Sequence, residues 1–472
     1  MIATLIRKEV TVLLRHRVIL IAAVAMTLLA VAAALLSVQR ASDFTAERLA
    51  AESVDQAVWV GQGERNPHSA AHFSRYAFKP IPELAAFDPG SIDHAGLAVW
   101  MEAHRHNPAV FRRAEDGDDL QLLARLDPAW LLMVIGPLFL VVVLHGALAS
   151  EREDGTFRQL MSTGVSRLQI GLAKLAAGML SVVAILLPAA FLVFALVWLG
   201  GGEATPDRAA RVGGLVAVYL VYFLTLGLVV LGVSALSASR RSAFAIAFVL
   251  WGASVVVAPR LAGDLAATLH PHADAESVRD ELQVASGAYF ADQALQEQDR
   301  QRVLAEYGVD DVDQLPISWS GYRLQRGEEV SHALFEEVFA DIDEQSARQA
   351  RVLRMGALVS PTLAVRELSA GLAGTDRRHH RAFTEAAEQH RRVIIKQLND
   401  DLTINGATAA FGYTTGEALW REVPPFSQSP PAFRQLAGAY TGAGLILALQ
   451  LVAATIFAAG AIAFGLSREH TR

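Results

Sequence analysis

The sequence predicts an α-helical integral membrane protein: six transmembrane helices with two extracytoplasmic, mainly helical inserts, one between spans 1 and 2 and one between spans 5 and 6. Three observations predict it. The 472 residues are 53% hydrophobic with a mean hydropathy of +0.31, too apolar for an ordinary soluble chain. The apolar residues are bunched into six runs, each long enough to cross a bilayer as a helix. The basic residues between those runs fall on alternate sides. The net charge of −7 says little, because charge is segregated by side, and the low charged fraction of 19% follows from the spans themselves. With no cysteine, disulfides, thiolate metal sites and cysteine nucleophiles are excluded.

Residues 1–17 read as an interfacial amphipathic helix. Ile2, Leu5, Ile6, Val10, Leu13 and Leu14 recur at helical spacing, with Arg7, Lys8, Arg15 and Arg17 on or beside the other face. Residues 18–38 form the first span, about 31 Å long as a helix. A cleaved signal peptide is the rival reading, but the run exceeds the roughly 7–15-residue signal core, so an uncleaved span is expected.

Residues 41–127 form the first insert. Phe44, Leu49, Val54 and Val58 extend a helical pattern outward, a Gly/Pro/aromatic stretch reads as loop, and a helix-like piece is expected over 97–104. Residues 128–149 are the second span, with Trp130 at its outer end. Residues 150–174 form a polar loop, which must lie at the surface because unsatisfied backbone in hydrocarbon is too costly. Between Gly155 and Gly164, Phe157, Leu160 and Met161 predict a short amphipathic helix. Residues 175–199 are the third span, kinked at Pro188 and ending near Trp198. Spans 4 and 5 cover 212–236 and 242–261, joined by a tight turn bearing Arg240 and Arg241.

Residues 262–436 form the second insert. Amphipathic patterns over 276–307 and 327–358 predict long helices, and Pro361 breaks the second. A shorter helix leads to a Gly-rich turn, after which Thr375 or Asp376 caps a helix over 377–400. The sixth span covers 437–466. Placing the N-terminus inside, the inner pieces carry twelve Lys/Arg, from Arg7 to Arg472, against only Glu9, Glu151, Glu153, Asp154 and Glu469. This asymmetry puts both termini and the 150–174 loop in the cytoplasm and both inserts outside.

The loop reads Glu151-Arg152-Glu153-Asp154-Gly155-Thr156-Phe157, then Gly164-Val165-Ser166-Arg167, then Lys174. This order resembles the cytoplasmic loop of ABC-2-type transporter permeases, and the six-span plan is similar throughout. The outer motifs, among them Asn66-Pro67-His68, Tyr76-Ala77-Phe78-Lys79-Pro80 and Leu372-Ala373-Gly374-Thr375-Asp376, resemble a subfamily with large extracytoplasmic inserts of unknown function. The resemblance implies that the loop acts as a coupling element seated on a separate ATPase subunit, with Glu151, Arg152, Glu153, Gly155, Thr156 and Phe157 as the coupling residues. It implies a second permease subunit, the same or a related chain, and a cell inner membrane.

No phosphate-binding loop of the form G-x-x-x-x-G-K-[ST] is present, so ATP and Mg²⁺ are expected on the partner ATPase, with no cofactor in this chain. Eleven histidines cluster in the outer inserts. His68 and His72 sit four apart, and His379 and His380 are adjacent, which makes these four the candidate metal ligands. Pro67 precedes the first pair and no third ligand is placed by sequence, so surface histidines in a polar domain are the simpler reading. The spans hold no acidic residue, which argues against proton- or sodium-coupled transport. Small residues in the sixth span favour close helix packing. No catalytic constellation is seen and no nucleic acid is expected. The function expected is the permease subunit of an ATP-driven exporter. The alternative is a non-transporting scaffold that passes ATPase motion to an extracytoplasmic, periplasmic partner.

Overall fold

The computed structural model describes residues 2–73, 75–112, 126–199, 205–407 and 409–465. The side chain of Trp198 and the C-terminal tail, including Arg468 and Arg472, lie outside what is described. Six helices among the described residues are long and apolar enough to cross a membrane. They are α2 (Arg17–Val60), α4 (Pro128–Glu153), α6 (Arg167–Leu199), α7 (Pro206–Leu236), α8 (Arg240–Leu269) and α15 (Phe433–Gly465). The protein is thus an α-helical integral membrane protein with six spans.

The N-terminal α1 (Ile2–Arg15) is separate from α2, broken at the extended residue His16. α2 has 44 residues, so it is about 66 Å long and rises far beyond a hydrocarbon core of about 30 Å. Its far end carries Trp59, which is fully buried. Beyond residue 60 the described residues of the first insert are not mainly helical. Pro and Gly residues at 67, 80, 82, 89 and 90 interrupt helix formation, leaving the short α3 (Pro67–Ala71). The piece expected as helix near 97–104 is instead strand β2 (Ala98–Trp100), paired antiparallel with β1 (Tyr76–Phe78) in the register Tyr76↔Trp100. Aromatic and β-branched residues at these positions suit a pleated, half-buried ribbon.

The loop between spans 2 and 3 is shorter than 150–174. It holds α5 (Thr156–Ser162), the predicted amphipathic helix, and α6 begins at Arg167, eight residues before the expected start. Ser166 Oγ accepts the Gln169 N–H, an N-cap that hydropathy cannot register. The 276–307 pattern is two helices, α9 (Ala275–Ala291) and α10 (Gln293–Tyr307). They part at Asp292, whose carboxylate accepts the Leu295 N–H.

The largest correction concerns residues 262–436. They are not all outside the bundle. α11 (Trp319–Gly356) descends between α8 and the bundle, the chain turns at 357–360, and α12 (Pro361–Ala373) climbs back. Ala357, Ser360, Thr362 and Ala364 are buried. Gln450, at the midpoint of α15, donates to Ala357 O at 2.7 Å and Leu358 O at 3.3 Å. Ser360 Oγ donates to Ser254 O at 2.6 Å, in a π-helical turn at the middle of α8. Tyr222, midway along α7, bonds Met133 O at 2.7 Å and lies 2.9 Å from Thr362 Oγ1. The pair is a re-entrant hairpin. Non-helical backbone at that depth is tolerated only when protein groups satisfy it.

The Gly-rich turn after α12 is set by contacts. Gly371 packs where a Cβ would lie 2.4 Å from the Tyr440 ring, and Gly374 ends the helix at φ +79°. Asp376, rather than Thr375, caps α13 (Arg377–Asn405) by accepting the His379 N–H. The two inserts then share one core. Trp59 Nε1 donates to Trp420 O at 2.9 Å, and Trp420, on α14 (Glu417–Glu422), donates from Nε1 to Gly63 O at 2.9 Å. Ala70, Val99, Phe383, Ile395 and Leu398 complete that core.

Gln450→Leu leaves the Ala357 and Leu358 carbonyls without a donor in an apolar setting. The expected loss is about 1–3 kcal/mol, read as a lower thermal midpoint in detergent; an unchanged midpoint would mean that the hairpin tip does not sit against α15.

Candidate functional site

The loop after span 2 is bound into the membrane domain by its charged residues. Leu148 and Ala149 donate their N–H groups to the fully buried Ser234 Oγ on α7, at 3.0 and 3.1 Å. The next residues reach five separate helices. Glu151 is only 8% exposed. Its carboxylate accepts from Lys174 on α6 at 2.8 Å and from Lys8 on α1 at 3.2 Å, and Thr156 Oγ1 also donates to it. Lys174 in turn reaches Glu9 at 3.0 Å. These four alternating charges hold α1 against α6 and the loop.

Arg152 points the other way. Its guanidinium donates to Ala235 O and Ser237 O at the end of α7 and, at 3.4 Å, to Gly465 O at the end of α15. Terminal carbonyls have no intrahelical donor, and a cation there also meets the negative pole of the helix dipole. The two helix ends are in close contact, since a Cβ on Gly465 would lie 2.3 Å from Ala235 O. Glu153 takes the opposite pole. It accepts the Arg240 backbone N–H at 3.1 Å and Arg240 Nε at 3.2 Å, at the start of α8, and Asp154 accepts Arg240 Nη2 at 2.9 Å.

Gly155 adopts φ +73°, where an L side chain would be strained, and its turn launches α5. Phe157 is 3% exposed and anchors α5 to the bundle core, with Leu160 and Met161 beside it. Arg158, Gln159 and Ser162 form the opposite, exposed face.

The residues expected to meet a partner therefore divide. Glu151, Arg152, Thr156 and Phe157 are engaged by groups of the chain itself. Glu153 and Gly155 remain exposed. The outward residues of α5 were not singled out by sequence, although the Phe157/Leu160/Met161 spacing implies them as its complement. The pairing of Lys8 with Glu151 and of Glu9 with Lys174 was not legible in the sequence, because each partner lies more than a hundred residues away.

A half-open apolar pocket of about 360 Å³ lies beside the hairpin tip, lined by Val141, Thr225, Trp251, Leu358, Pro361 and Gln450 among others.

The four candidate histidines do not form one cluster. His379 Nδ1 lies 2.6 Å from Asp376 Oδ1, which also accepts its backbone N–H. His380 Nδ1 lies 3.5 Å from Lys79 Nζ; burial, then the Lys79 charge, pushes it down to about 4. His68 and His72 meet each other and a third residue, His104, which the sequence did not single out.

Residues 115–256, which include α4 to α7 and the 150–166 loop, match the family model of the ABC-2 family transporter protein. This match supports an ABC-2-type permease. A second family model, described as a domain of unknown function (DUF3526), matches residues 275–429. No curated protein matches the chain. The family match spans the charged loop, and the domain of unknown function spans both the helical insert and the re-entrant hairpin of the permease.

Lys174→Met leaves the Glu151 carboxylate of the permease with Lys8 and the Thr156 hydroxyl. Removing one partner of a buried pair costs about 3 kcal/mol, so the thermal midpoint falls. Adding Glu151→Gln to the same chain recovers part of that loss, because no uncompensated charge is then buried. Equal midpoints for the single and double variants would show that the two groups do not interact.

Proposed function

We propose that this permease is the transmembrane subunit of an ATP-driven ABC-2-type exporter of a cell inner membrane, energised by a separate ATPase subunit that docks on α5 from the cytoplasm. One observation carries the reading. α5 exposes Arg158, Gln159 and Ser162 while Phe157 and its flanking charges tie it to helix ends on α1, α6, α7, α8 and α15. A push on the exposed face is thereby shared among five helices. The basic residues at this end of the bundle support a cytoplasmic location.

ATP-driven closure of two ATPase subunits would move two such loops. The permease then pairs with a second copy or a related chain. Among the described spans, α8 and α2 leave the most apolar surface uncovered, and membrane lipid and the second subunit share those faces. The apolar pocket beside the hairpin tip favours a cargo with hydrophobic surface, and the hairpin bounds one side of it. A second reading, motion passed to a periplasmic partner without transport, is favoured by the shared core of the two inserts, which would move as one body. Transport of a substrate in sealed vesicles separates the two.

The test is co-purification of an ABC ATPase subunit from the native membrane. Arg158→Glu with Gln159→Glu should abolish its retention and its permease-dependent ATP turnover, with the thermal midpoint unchanged because both side chains are exposed. If the wild type retains no ATPase, or the double variant retains and drives it normally, α5 is not the docking element.

A further inference from the structure

Three imidazoles converge on the extramembrane domain of the permease. His68 and His72 lie on and just after α3, and His104 arrives from the chain beyond β2. His68 Nε2 is 3.4 Å from His72 Nε2 and 3.3 Å from His104 Nε2. Among the described residues, these three alone bring their ligand atoms within 4.8 Å of one another. A tetrahedral ion with metal–nitrogen bonds of roughly 2.0–2.1 Å sets its nitrogens roughly 3.3–3.4 Å apart. The two closest edges therefore already have the length that such an ion needs.

The surroundings orient the rings for this. His104 Nδ1 lies 3.1 Å from Glu328 Oε1, and the His104 backbone N–H donates to the same oxygen. A carboxylate on Nδ1 fixes the proton there and leaves the Nε2 lone pair free, the usual arrangement behind a metal-bound histidine. His104 also holds φ +60°, a backbone cost for a residue that is not glycine, so its ring is positioned against local preference. Glu328 is itself 1% exposed and paired with the buried Arg391 at 2.9 Å. Burial opposes its charge, but the histidine hydrogen bonds and Arg391 hold it well below the usual carboxylate range. It is an orienting group, not a ligand.

We infer that His68, His72 and His104 bind a divalent first-row transition ion, Zn²⁺ or Cu²⁺, through their Nε2 atoms. Imidazole is a ligand suited to these ions, and three of them leave a fourth position for water or a further ligand. His72 is exposed, which gives the ion a path from solvent. The ligands belong to the first insert and Glu328 to α11 of the second, so the ion joins the two inserts. α11 continues without a break to the re-entrant tip, and the site is thereby in mechanical contact with the bundle.

The test uses tag-free, full-length permease in detergent, stripped with chelator and titrated with Zn²⁺ alone. Bound metal is counted by elemental analysis after desalting. The wild type should retain one ion per chain and gain thermal stability with Zn²⁺. A His272→Ala control, at an exposed histidine away from the cluster, should behave as wild type. His72→Ala should lose both the ion and the Zn²⁺-dependent gain while keeping its metal-free midpoint. Glu328→Gln should weaken binding about 10-fold or more. On the wild type, Cu²⁺ should show hyperfine coupling to imidazole nitrogens, a readout that needs no variant. A wild type that retains no ion, a His72→Ala chain that binds as well as wild type, or bound Cu²⁺ without nitrogen coupling would overturn the assignment. None of these outcomes depends on an ATPase, so the site and the transport reading fail or stand separately.

Discussion

A backbone carbonyl at a helix end has no intrahelical donor, and inside a bilayer it has no water either. The permease bundle is built around protein groups that answer this need. Arg152 reaches the ends of α7 and α15. At the other end of α7, Arg211 donates to Gly371 O and Leu372 O at the end of α12, and to Pro431 O where the chain returns toward α15. Midway between them, Gln450 satisfies the turn of the hairpin, and Ser360 in that turn donates to Ser254 O in the π-helical turn of α8. Each is a polar side chain whose position is set by an interruption in a helix. Together they join elements that hydrophobic packing alone would leave free to slide, since lipid tails solvate apolar helix faces as well as neighbouring helices do.

The same constraint gives the proposed coupling end its stiffness. A loop held only by Phe157 could rotate about that anchor. Here Glu151 and Arg152, adjacent in sequence, are drawn to opposite sides by Lys174 and by the carbonyls of α7 and α15. Glu153 then holds the start of α8. Displacing α5 must therefore displace helices or break charge-assisted hydrogen bonds, which are the strong ones. At the far end, the tryptophan pair and the buried Arg391, which pairs with Glu328 and Glu388 and donates to Glu102 O of the first insert, make the two inserts a single body, and α11 connects that body to the middle of the bundle.

The spans were legible because hydrocarbon imposes a composition: some twenty apolar residues announce themselves whatever surrounds them. α5 was legible because Phe157, Leu160 and Met161 must share one face of a helix. The start of α6 at Arg167 was not, because Arg167, Gln169 and Lys174 keep the segment polar in hydropathy while the N-cap at Ser166 already favours helix. The hairpin was missed for a related reason. α12 reads Pro-Thr-Leu-Ala-Val-Arg-Glu-Leu-Ser-Ala-Gly-Leu-Ala, too short and too polar to be counted as membrane-embedded. Its hydroxyls at Thr362 and Ser369 are acceptable there only because Tyr222 and Tyr219 meet them.

What the sequence by itself determined is therefore what depends on local composition and periodicity: a six-span helical membrane protein, a charged loop with a short amphipathic helix, and a histidine-rich pair of inserts. What only the tertiary structure decided is which of those charges face inward and which imidazoles meet. Glu151 and Glu153 are two residues apart and chemically alike, yet one is enclosed by lysines from two other helices and the other caps α8 at the surface. His104 lies 36 residues from His68 and shares no motif with it, and a backbone turn at φ +60° brings them together. Side-chain pairing across such separations is set by the packing of whole elements, and no window along the chain contains it.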